Sequence, residues 1–460
     1  MRLAWFSPMP PVTTGIARCS ADLIAGLGRD HEIDVFVDER NLRACQGARG
    51  PGGGPAADGC RSAHDFVWRH HRAPYDLIVY QLGNSSHHDY QWPYLFRFPG
   101  LVVLHDAHLH HARAACLLRT SRADDYRAEF AANHPDADPN LAELAIAGFD
   151  NHLHYLSPMT KLVLERSRMT AVHSSTTAER LRSEAPSARI ESIRLGHGAL
   201  LTDEDAARLG AEARTRYRIP SSAMVFGCYG GLTPDKRVPQ ILSAFAAARA
   251  SIANAHLLLA GTVADHYDPR ADIARLGLED STTLTGYLER DDELTAAIAA
   301  CDVALNLRWP TAREVSGPWL RCLAAGRPTV TIELAHLSYV PSIDPRTWLS
   351  SANGAAPACT VAVDIADEEH SLRIAMRRLA VDRDLRGALG RAGREYWLAN
   401  HSIEHMADDY RRVIARASAS PPASAPLPGH LLETADRTLL AVLSEVGVEA
   451  PPGFGGGVRQ

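Results

Sequence analysis

The sequence predicts an α/β protein made of two βα domains that face each other across a cleft. Its 460 residues are more than a single domain usually needs, and each half is long enough for its own hydrophobic core. Short apolar segments alternate with amphipathic ones, as in parallel sheets whose strands are connected by helices. Several apolar segments end in glycine or polar residues. Ligands bind at this carboxyl edge of parallel sheets, so we expect a site there.

The composition argues against two classes of protein. Charged residues make up 22% of the chain and hydrophobic residues 46%, which is ordinary for a soluble globular protein. The formal net charge of −6 disfavours a nucleic-acid partner. No apolar run approaches the ~20 residues of a membrane span, and the N-terminus lacks the pattern of a signal peptide. We therefore expect a cytoplasmic protein, for which peripheral membrane contact stays possible.

The first domain is predicted to span residues 1–215. Its strands are expected at 2–6, 32–37, 75–84, 101–111, 169–174 and 190–196. Gly15 lies where the first loop becomes a helix at 17–27, so backbone N–H groups there could face an anion, although a plain β–α turn is the alternative. Residues 40–62 are predicted to be a flexible loop, and residues 112–168 a helical wall on the acceptor side of the cleft.

Histidines are concentrated in the first domain, six of them between residues 87 and 111. Their spacing does not repeat in the way that metal ligands do, so we predict polar cleft-lining residues rather than a metal site. His105 and Asp106 stand at the end of a predicted strand. A neutral His105 could hydrogen-bond a substrate and Asp106 could orient it. A buried structural histidine is the alternative.

The second domain is predicted to span residues 216–400 and begins with a strand, a Gly230-Gly231 turn and a helix. Lys236 and Arg237 stand at the start of that helix, where two cations oppose the helix dipole. A bound anion would remove this conflict. A nucleotide diphosphate fits, because arginine binds phosphate oxygens in a bidentate manner and lysine supplies a point charge. The alternative is an exposed basic pair.

The most informative stretch of the second domain is a strand, a loop and a helix between Cys301 and Ile332. Glu314, Ser316 and Gly317 lie where this helix begins, near its positive dipole end. The other strands of the second domain are predicted at 255–263, 282–288, 329–332 and 360–365. The first of these contains Gly261, and the second ends in Gly286, Tyr287 and Leu288.

The C-terminal region is predicted to be helical at 367–399, followed by a helix at 401–418 that returns to the first domain. Residues 419–460 are predicted to contain a Pro/Ala linker, a short helix at about 429–447 and a disordered tail.

Four of these motifs resemble the retaining glycosyltransferases of family 4, which have the GT-B fold. They are the P-P-x-x-[ST]-G loop that ends at Gly15, the His105-Asp106 pair, the G-x-x-x-x-x-K-R run from Gly230, and Glu314 followed by the A-A-G-x-P ending at 324–328. The resemblance covers roughly residues 1–415. It implies two Rossmann-like domains, a C-terminal helix that crosses back, and sugar transfer from a nucleotide-diphosphate sugar to an acceptor hydroxyl.

The resemblance also implies a role for each matching residue. Catalysis would involve His105, Asp106, Lys236, Arg237 and Glu314. Donor binding would add Gly15, Gly230, Gly231, Gly261, Tyr287, Leu288, Ser316 and Gly317. The nucleotide sugar is then a co-substrate, and neither a cofactor nor a metal is expected, because cationic side chains neutralise the diphosphate.

One motif residue is missing. The second glutamate of the family's E-x7-E motif, which holds the ribose in the family, is replaced by Arg321 or Cys322, depending on the direction of counting. This favours a non-catalytic GT-B module as the alternative, and a GT-B epimerase is a third possibility. A phosphorylase would need a lysine beyond Lys236, and the sequence has none. The sugar, the base and the acceptor, whether a glycan, a lipid-linked sugar or a small molecule, stay open.

Overall fold

The structure contains two parallel β-sheets of seven strands each, with helices packed on their faces. The computed structural model describes residues 1–47, 59–149, 152–252, 254–264, 266–350, 356–422, 424–432 and 442–448. The strands of the first sheet come from residues 2–192 and those of the second from residues 224–363. These ranges fall inside the two predicted domains, whose exact boundaries stay a prediction.

The first sheet has the strand order β3-β2-β1-β4-β5-β6-β7, and every pair in it is parallel. Its strands are β1 (Arg2–Phe6), β2 (Glu32–Val37), β3 (Cys60–Ser62), β4 (Leu77–Leu82), β5 (Leu101–Leu104), β6 (Met169–Val172) and β7 (Ile190–Ser192). Its central strands β1, β4 and β5 are almost wholly apolar because helices cover both faces.

The second sheet has the order β10-β9-β8-β11-β12-β14-β13 and is also parallel. Its strands are β8 (Met224–Tyr229), β9 (Ala255–Ala260), β10 (Thr282–Leu284), β11 (Val303–Asn306), β12 (Thr329–Ile332), β13 (Ser342–Ile343) and β14 (Thr360–Val363). The chain reverses its strand order between β8 and β11, and the carboxyl ends at such a switch point form a crevice.

Helices connect the strands of both sheets. They are α1 (Gly15–Leu27), α2 (Glu39–Gly47), α3 (Phe66–Arg72), α4 (Trp92–Arg97), α5 (His110–Leu118), α6 (Ala123–Asn133), α7 (Asn140–Ile146), α8 (Leu153–Leu156), α9 (Lys161–Arg166), α10 (Ser175–Glu184), α11 (Asp203–Arg216), α12 (Val238–Arg249), α13 (Pro269–Arg275), α14 (Asp291–Ala299), α15 (Gly317–Ala324), α16 (Glu368–Val381), α17 (Arg383–Asn400), α18 (Ile403–Ala419) and α19 (Gly429–Leu432). No helix among the described residues is both long and apolar enough to cross a membrane.

Helix α18 follows the second sheet in the chain but packs against the first. The ring of Tyr410 stacks on Trp5 of β1 at 5.8 Å between centroids, and its hydroxyl donates to Oε1 of Gln81 at 3.1 Å. Asp409 accepts from both the backbone N–H and the guanidinium of Arg194, which follows β7. The helix therefore returns to the first domain, as the sequence predicted.

The structure departs from the predicted elements in several places. The prediction of a flexible loop at 40–62 is wrong for its described parts, which contain most of α2 and the whole of β3, while residues 48–58 lie outside the described part. The predicted strand at 101–111 ends at Leu104, and that at 190–196 ends at Ser192. Of the short helix predicted at about 429–447, residues 433–441 are not described, and neither is the tail from residue 449.

Two predicted helical regions are divided. Residues 112–168 form several short helices between α5 and α9. The helix predicted at 367–399 is two helices, because the side chain of Asp382 accepts the N–H of Leu385 and so caps the start of α17.

Candidate functional site

Charged side chains from both sheets meet where the strands end. Asp106 follows β5, Lys236 lies in a 3₁₀ turn after β8, Arg308 follows β11, and Glu314 precedes α15. The electrostatic contacts of Arg308 reach the other charges, since Glu314, Asp235 and Asp106 all act on its pKa. We call Asp106, Asp235, Lys236, Arg308 and Glu314 the cleft cluster. Residue 106, residues 235–236 and residues 308–314 are far apart in the sequence. The two parallel sheets bring them together.

Arg308 is the member of the cleft cluster that the sequence interpretation missed. Its Nε lies 2.6 Å from Oε1 of Glu314, and its Nη1 lies 3.0 Å from Oδ2 of Asp235. Burial alone would lower the pKa of Arg308, but the carboxylates of Glu314 and Asp235 outweigh it and raise that pKa. The sequence did offer one signal for Arg308, namely a cation just after a predicted buried strand. It lies only six residues before Glu314.

Lys236 is a partly buried cation that forms no ion pair with any described residue. Its Nζ donates to the carbonyl oxygen of Tyr229 at 2.7 Å. Burial, and then repulsion from Arg308, lower the pKa of Lys236 to about 8. An anion placed beside Lys236 would relieve both effects, because it would favour the charged ammonium group.

Asp106 faces Glu314 across the cleft cluster. Its Oδ2 accepts the backbone N–H of Asn84 at 2.7 Å. Burial, and then repulsion from Glu314, raise the pKa of Asp106 to about 6. Glu314 is itself held by Arg308 and by the hydroxyl of Thr311, which donates to its Oε2 at 2.8 Å.

Arg237 departs from the prediction that it holds a diphosphate. Its Nε lies 2.7 Å from Oε1 of Glu368, and Nη2 contacts the other carboxylate oxygen, so the ion pair is bidentate. Arg237 also has a left-handed backbone with φ of 60° at the N-cap of α12. Because Glu368 is buried and would otherwise be an unpaired charge, Arg237 is committed to joining α12 to α16.

His105 also departs from its predicted role. Its Nε2 donates to Oε1 of Gln81 at 2.8 Å, and its Nδ1 accepts from Nε2 of His173 at 3.1 Å. Burial, and then the neighbouring His173, lower the pKa of His105 well below its usual value, so the ring is neutral. Both ring nitrogens are occupied by protein partners, which fits the structural alternative. Its neighbour Asp106 is the residue of this pair that belongs to the cleft cluster.

Two glycines shape the turn around Lys236. Gly230 has φ of 91°, and a Cβ there would overlap the ammonium group of Lys236. Gly261 has φ of 153°, and a Cβ there would overlap the carbonyl of Gly230. By contrast, added Cβ atoms at Gly231 and Gly15 would meet nothing within 4 Å. The backbone is therefore open beside the turn at Gly231 and at the first residue of α1.

The remaining predicted donor residues occupy the rim of the second sheet. Tyr287 is exposed, whereas Leu288 is partly buried against the hydrophobic core. Ser316 is the N-cap of α15, since its Oγ accepts the N–H of Trp319 at 3.3 Å. Gly317 lies against the ring of His197, which a side chain at that position would overlap. Ser316 and Gly317 thus have clear structural reasons to be present.

Arg321 stands where the missing motif glutamate would be. Its Nε donates to Nε2 of His197 and its Nη2 to Oδ1 of Asp291, both at 3.1 Å. Asp291 also forms an ion pair with Arg18 of α1. Cys322, the other residue at this place, is fully buried. The replacement is therefore a cation with two protein partners rather than an empty position.

Two histidines of the histidine-rich segment have ordinary hydrogen-bond partners. Nδ1 of His88 lies 2.9 Å from the carbonyl of Gln81, and Nε2 of His110 lies 2.7 Å from the hydroxyl of Tyr126. Within the described part of the chain, no three side chains of His, Cys, Asp or Glu form a group that could hold a metal ion.

Solved structures resemble this chain over 90% of its length. Sucrose-phosphate synthase from Thermosynechococcus elongatus gives a TM-score of 0.57 at 17% identity, and 99% of that chain is covered. HepE from Anabaena, solved with UDP-glucose, gives 0.60 at 13% identity with 99% covered. WaaG, a glycosyltransferase involved in lipopolysaccharide biosynthesis, gives 0.57 at 14% identity, also with 99% covered. The fold is GT-B. Identities this low establish the fold and leave the activity open.

A family comparison adds information on the second half of the GT-B fold. Residues 223–354 match the family described as "Glycosyl transferases group 1". The matched segment contains four members of the cleft cluster, Asp235, Lys236, Arg308 and Glu314. No curated protein sequence matches this chain.

Proposed function

We propose that this chain is a retaining glycosyltransferase, which transfers a sugar from a nucleotide-diphosphate sugar to an acceptor hydroxyl. The observation that carries the proposal is Lys236, a partly buried cation that has no ion pair among the described residues and stands with Arg308, Glu314 and Asp106 in the cleft cluster. The match of residues 223–354 to group 1 glycosyl transferases supports it. Membership of family 4 is part of the proposal.

The cations would act on the leaving group. The bond from the anomeric carbon to the diphosphate oxygen breaks, the acceptor oxygen bonds to the same carbon, and the acceptor's hydroxyl proton passes to the departing diphosphate. Lys236 and Arg308 would stabilise the negative charge that grows on this diphosphate, and loss of one such charge typically slows a reaction by roughly 10²–10³. Since this charge is supplied by side chains, we expect turnover to persist in EDTA.

The carboxylates would face the sugar. Glu314 is fixed by Arg308 and Thr311 and would accept hydrogen bonds from donor hydroxyls. Asp106, with a pKa of about 6, would be ionised in most molecules at pH 7 and would lie near the anomeric carbon, where positive charge develops. The ion pair between Arg237 and Glu368 would hold the turn that carries Lys236. Arg237 itself would not contact the donor.

A nucleotide-binding panel tests the donor. Thermal unfolding of the wild type would be followed with UDP-, GDP- and ADP-sugars and the free nucleotides, because a ligand that binds the folded state raises Tm. We expect one nucleotide family to raise Tm. Lys236→Met should abolish this rise. The control Lys161→Met should keep it, since Lys161 is the chain's other lysine, lies in α9 outside the cleft cluster, and pairs with Glu165 of the same helix. Absence of a shift with every nucleotide would contradict the proposal.

Product analysis tests the stereochemistry. The donor identified by the panel would be incubated with the wild type and a set of sugar acceptors, and the anomeric configuration of the new bond would be read by proton NMR. Retention is expected. A product of inverted configuration would contradict the retaining chemistry while leaving the transferase itself in place.

A non-catalytic nucleotide-binding module is the second candidate. It is favoured by Arg321, whose contacts with His197 and Asp291 occupy the position of the missing glutamate. This candidate predicts that nucleotides raise Tm but that no donor is consumed, with or without acceptor. Restoring an acidic residue by Arg321→Glu distinguishes the two: a transferase already adapted to Arg321 should lose nucleotide affinity, whereas a degraded module should gain it.

A further inference from the structure

A pocket of about 600 Å³ lies between the two halves of the fold beside the cleft cluster. The residues of the first half include Tyr155, Leu156 and Arg180, and those of the second include 309–311 and Arg313. Pockets of this size typically enclose most of a small organic ligand. None of the residues that line this pocket belongs to the turn around Lys236.

The pocket adjoins the reacting groups. Thr311 lines it, and the Thr311 hydroxyl donates to Glu314. Tyr155 also lines it. Burial, and then the charge of Asp235, raise the pKa of the Tyr155 phenol, and Glu314 and Asp106 add to this effect. A ligand here would therefore lie next to the carboxylates of the cluster, which is where an acceptor hydroxyl must be placed.

The positive charge in this pocket is incompletely balanced. Arg313 forms no ion pair with any described residue, and its Nη1 is buried without a hydrogen-bond partner among them. Burial, and then repulsion from Arg180, lower the pKa of Arg313. Arg180 itself is held by Glu184 at 2.7 Å. Glu184 pairs with Arg180 and leaves Arg313 without an ion pair of its own. A buried donor without a partner needs an acceptor, such as a water or an anion.

The backbone holds Arg313 in this position at a cost. Its φ of 61° lies in the left-handed region, and its N–H donates to Oγ1 of Thr311 at 3.0 Å. Long side chains rarely adopt this conformation, and such strain clusters at ligand-binding sites. Arg313 thus combines a strained backbone with a place in the lining of the pocket.

The larger part of the pocket surface is apolar, although its lining also includes His108, His152 and His336. Trp309 is 40% exposed and Leu156 is 79% exposed, and Tyr155 also lines the pocket. A flat apolar surface of this kind suits the C–H face of a sugar ring or a hydrocarbon chain. The pocket therefore combines an apolar wall with a localised positive charge.

We propose that this pocket binds the glycosyl acceptor, and that the acceptor carries a carboxylate or phosphate group held by Arg313 and Arg180 next to an apolar face. This inference rests on the proposed glycosyltransferase function. The same anionic chemistry is offered by an acidic sugar and by a phosphorylated lipid acceptor, which the test separates.

Calorimetric titrations with three probes test the charge preference. The probes are 4-nitrophenyl glucuronide, its neutral counterpart 4-nitrophenyl glucoside, and farnesyl phosphate. At least one anion should bind the wild type at least tenfold more tightly than the glucoside, and the tighter of the two anions identifies an acidic sugar or a phosphorylated lipid. Equal affinity for the three probes, or no detectable binding of either anion, overturns the proposal.

Two arginine variants assign the preference to the pocket. Arg313→Gln should remove it, and Arg180→Gln should reduce it; the second variant serves if the first does not fold. The control Arg270→Gln, at an exposed arginine paired only with Asp268, should keep it. A preference that survives both pocket substitutions overturns the proposal.

Nucleotide binding separates this inference from the proposed function. Arg313→Gln should keep the Tm rise produced by nucleotides, since Arg313 is not part of the cleft cluster. If the wild type binds no nucleotide but retains an anion preference that depends on Arg313, the pocket stands and the transferase proposal fails.

Discussion

Asp106 and Lys236 titrate closer to neutrality than such side chains normally do. Burial and a like charge act on both: Glu314 raises the pKa of Asp106, and Arg308 lowers that of Lys236. Each group is thus less stable in its charged form in the folded state than in the unfolded chain. Such opposed shifts in one cleft are typical of groups arranged for binding or catalysis, and their cost to folding can be measured.

Replacing Asp106 tests this cost. The pKa of Asp106 is about 6 in the folded protein and ordinarily 3.8, so the folded state binds its proton more tightly and loses stability as pH rises from about 4 to 6. Asp106→Asn keeps the acceptor for the Asn84 N–H and removes the charge. Above pH 6 the variant should be more stable than the wild type by roughly 1–3 kcal/mol.

Urea unfolding at pH 4.5 and pH 8 measures the effect, which should be much smaller at the lower pH. The same variant should lose sugar transfer by roughly 10² or more. Equal stabilities at both pH values would show that Asp106 is not held at an unfavourable charge.

The sequence predicted some of the individual residues of the site and missed others. Asp106, Lys236 and Glu314 were expected, and the structure brings them together. Arg237 and His105 were assigned roles that their contacts oppose, because their partners are distant in the chain: Glu368 is 131 residues from Arg237, and His173 is 68 from His105. No local pattern reveals such pairings. Arg308 was missed because it belongs to no motif that was sought.

The turn after β8 determines where Lys236 lies. A side chain at Gly230 would overlap Lys236, and one at Gly261 would overlap the carbonyl of Gly230, whereas Gly231 faces open space. The resemblance to family 4 implied that both glycines of this turn bind the donor. The structure gives its two glycines different reasons: Gly230 is needed for packing, and Gly231 leaves the backbone open.

Alanine substitution distinguishes the two kinds of glycine. Gly261→Ala would drive a Cβ into the carbonyl of Gly230 at a backbone conformation that only glycine adopts readily, so it should destabilise the fold by about 2–4 kcal/mol. Gly231→Ala is the matched control and should change stability by no more than about 0.5 kcal/mol. Urea unfolding measures both. Similar losses in the two variants would contradict this account of the turn.

Strands were predicted more accurately than the segments between them. Buried strands such as β4 and β9 are almost wholly apolar, so their pattern is distinct. The region 112–168 is different, since its short helices pack through buried polar groups such as the Arg113–Glu129 ion pair. Helix periodicity indicates a helical region there but not where each helix ends.

Helix α18 joins the end of the described GT-B fold to its beginning. Tyr410 is completely enclosed between Trp5 and Gln81, and the Arg194–Asp409 pair fixes the same helix to the segment after β7. The sequence predicted this return from the resemblance to GT-B proteins. It could not predict the interdomain pocket, because Arg180 and Arg313 come from different halves of the chain.

Truncating Tyr410 tests the contribution of this helix. Tyr410→Ala should cost about 3–5 kcal/mol of stability because it leaves a cavity against β1. Tyr410→Phe should cost only about 1 kcal/mol, since Gln81 keeps its hydrogen bond from His105. Val381→Ala, at a side chain that is 75% exposed, is the control and should be close to neutral. Urea midpoints give the comparison, and a small effect of Tyr410→Ala would mean that α18 is not essential to the first half.

The most direct test of the whole account is a calorimetric titration of UDP and UMP, or of the matching pair for the nucleotide that raises Tm, at pH 7 and pH 9.5. If Lys236 and Arg308 bind the diphosphate, the diphosphate should bind at least tenfold more tightly than the monophosphate at pH 7. This preference should shrink at pH 9.5, above the Lys236 pKa of about 8, and in Lys236→Met, but not in Lys161→Met. Equal binding of the two nucleotides, or a preference that Lys236→Met leaves unchanged, would contradict the account.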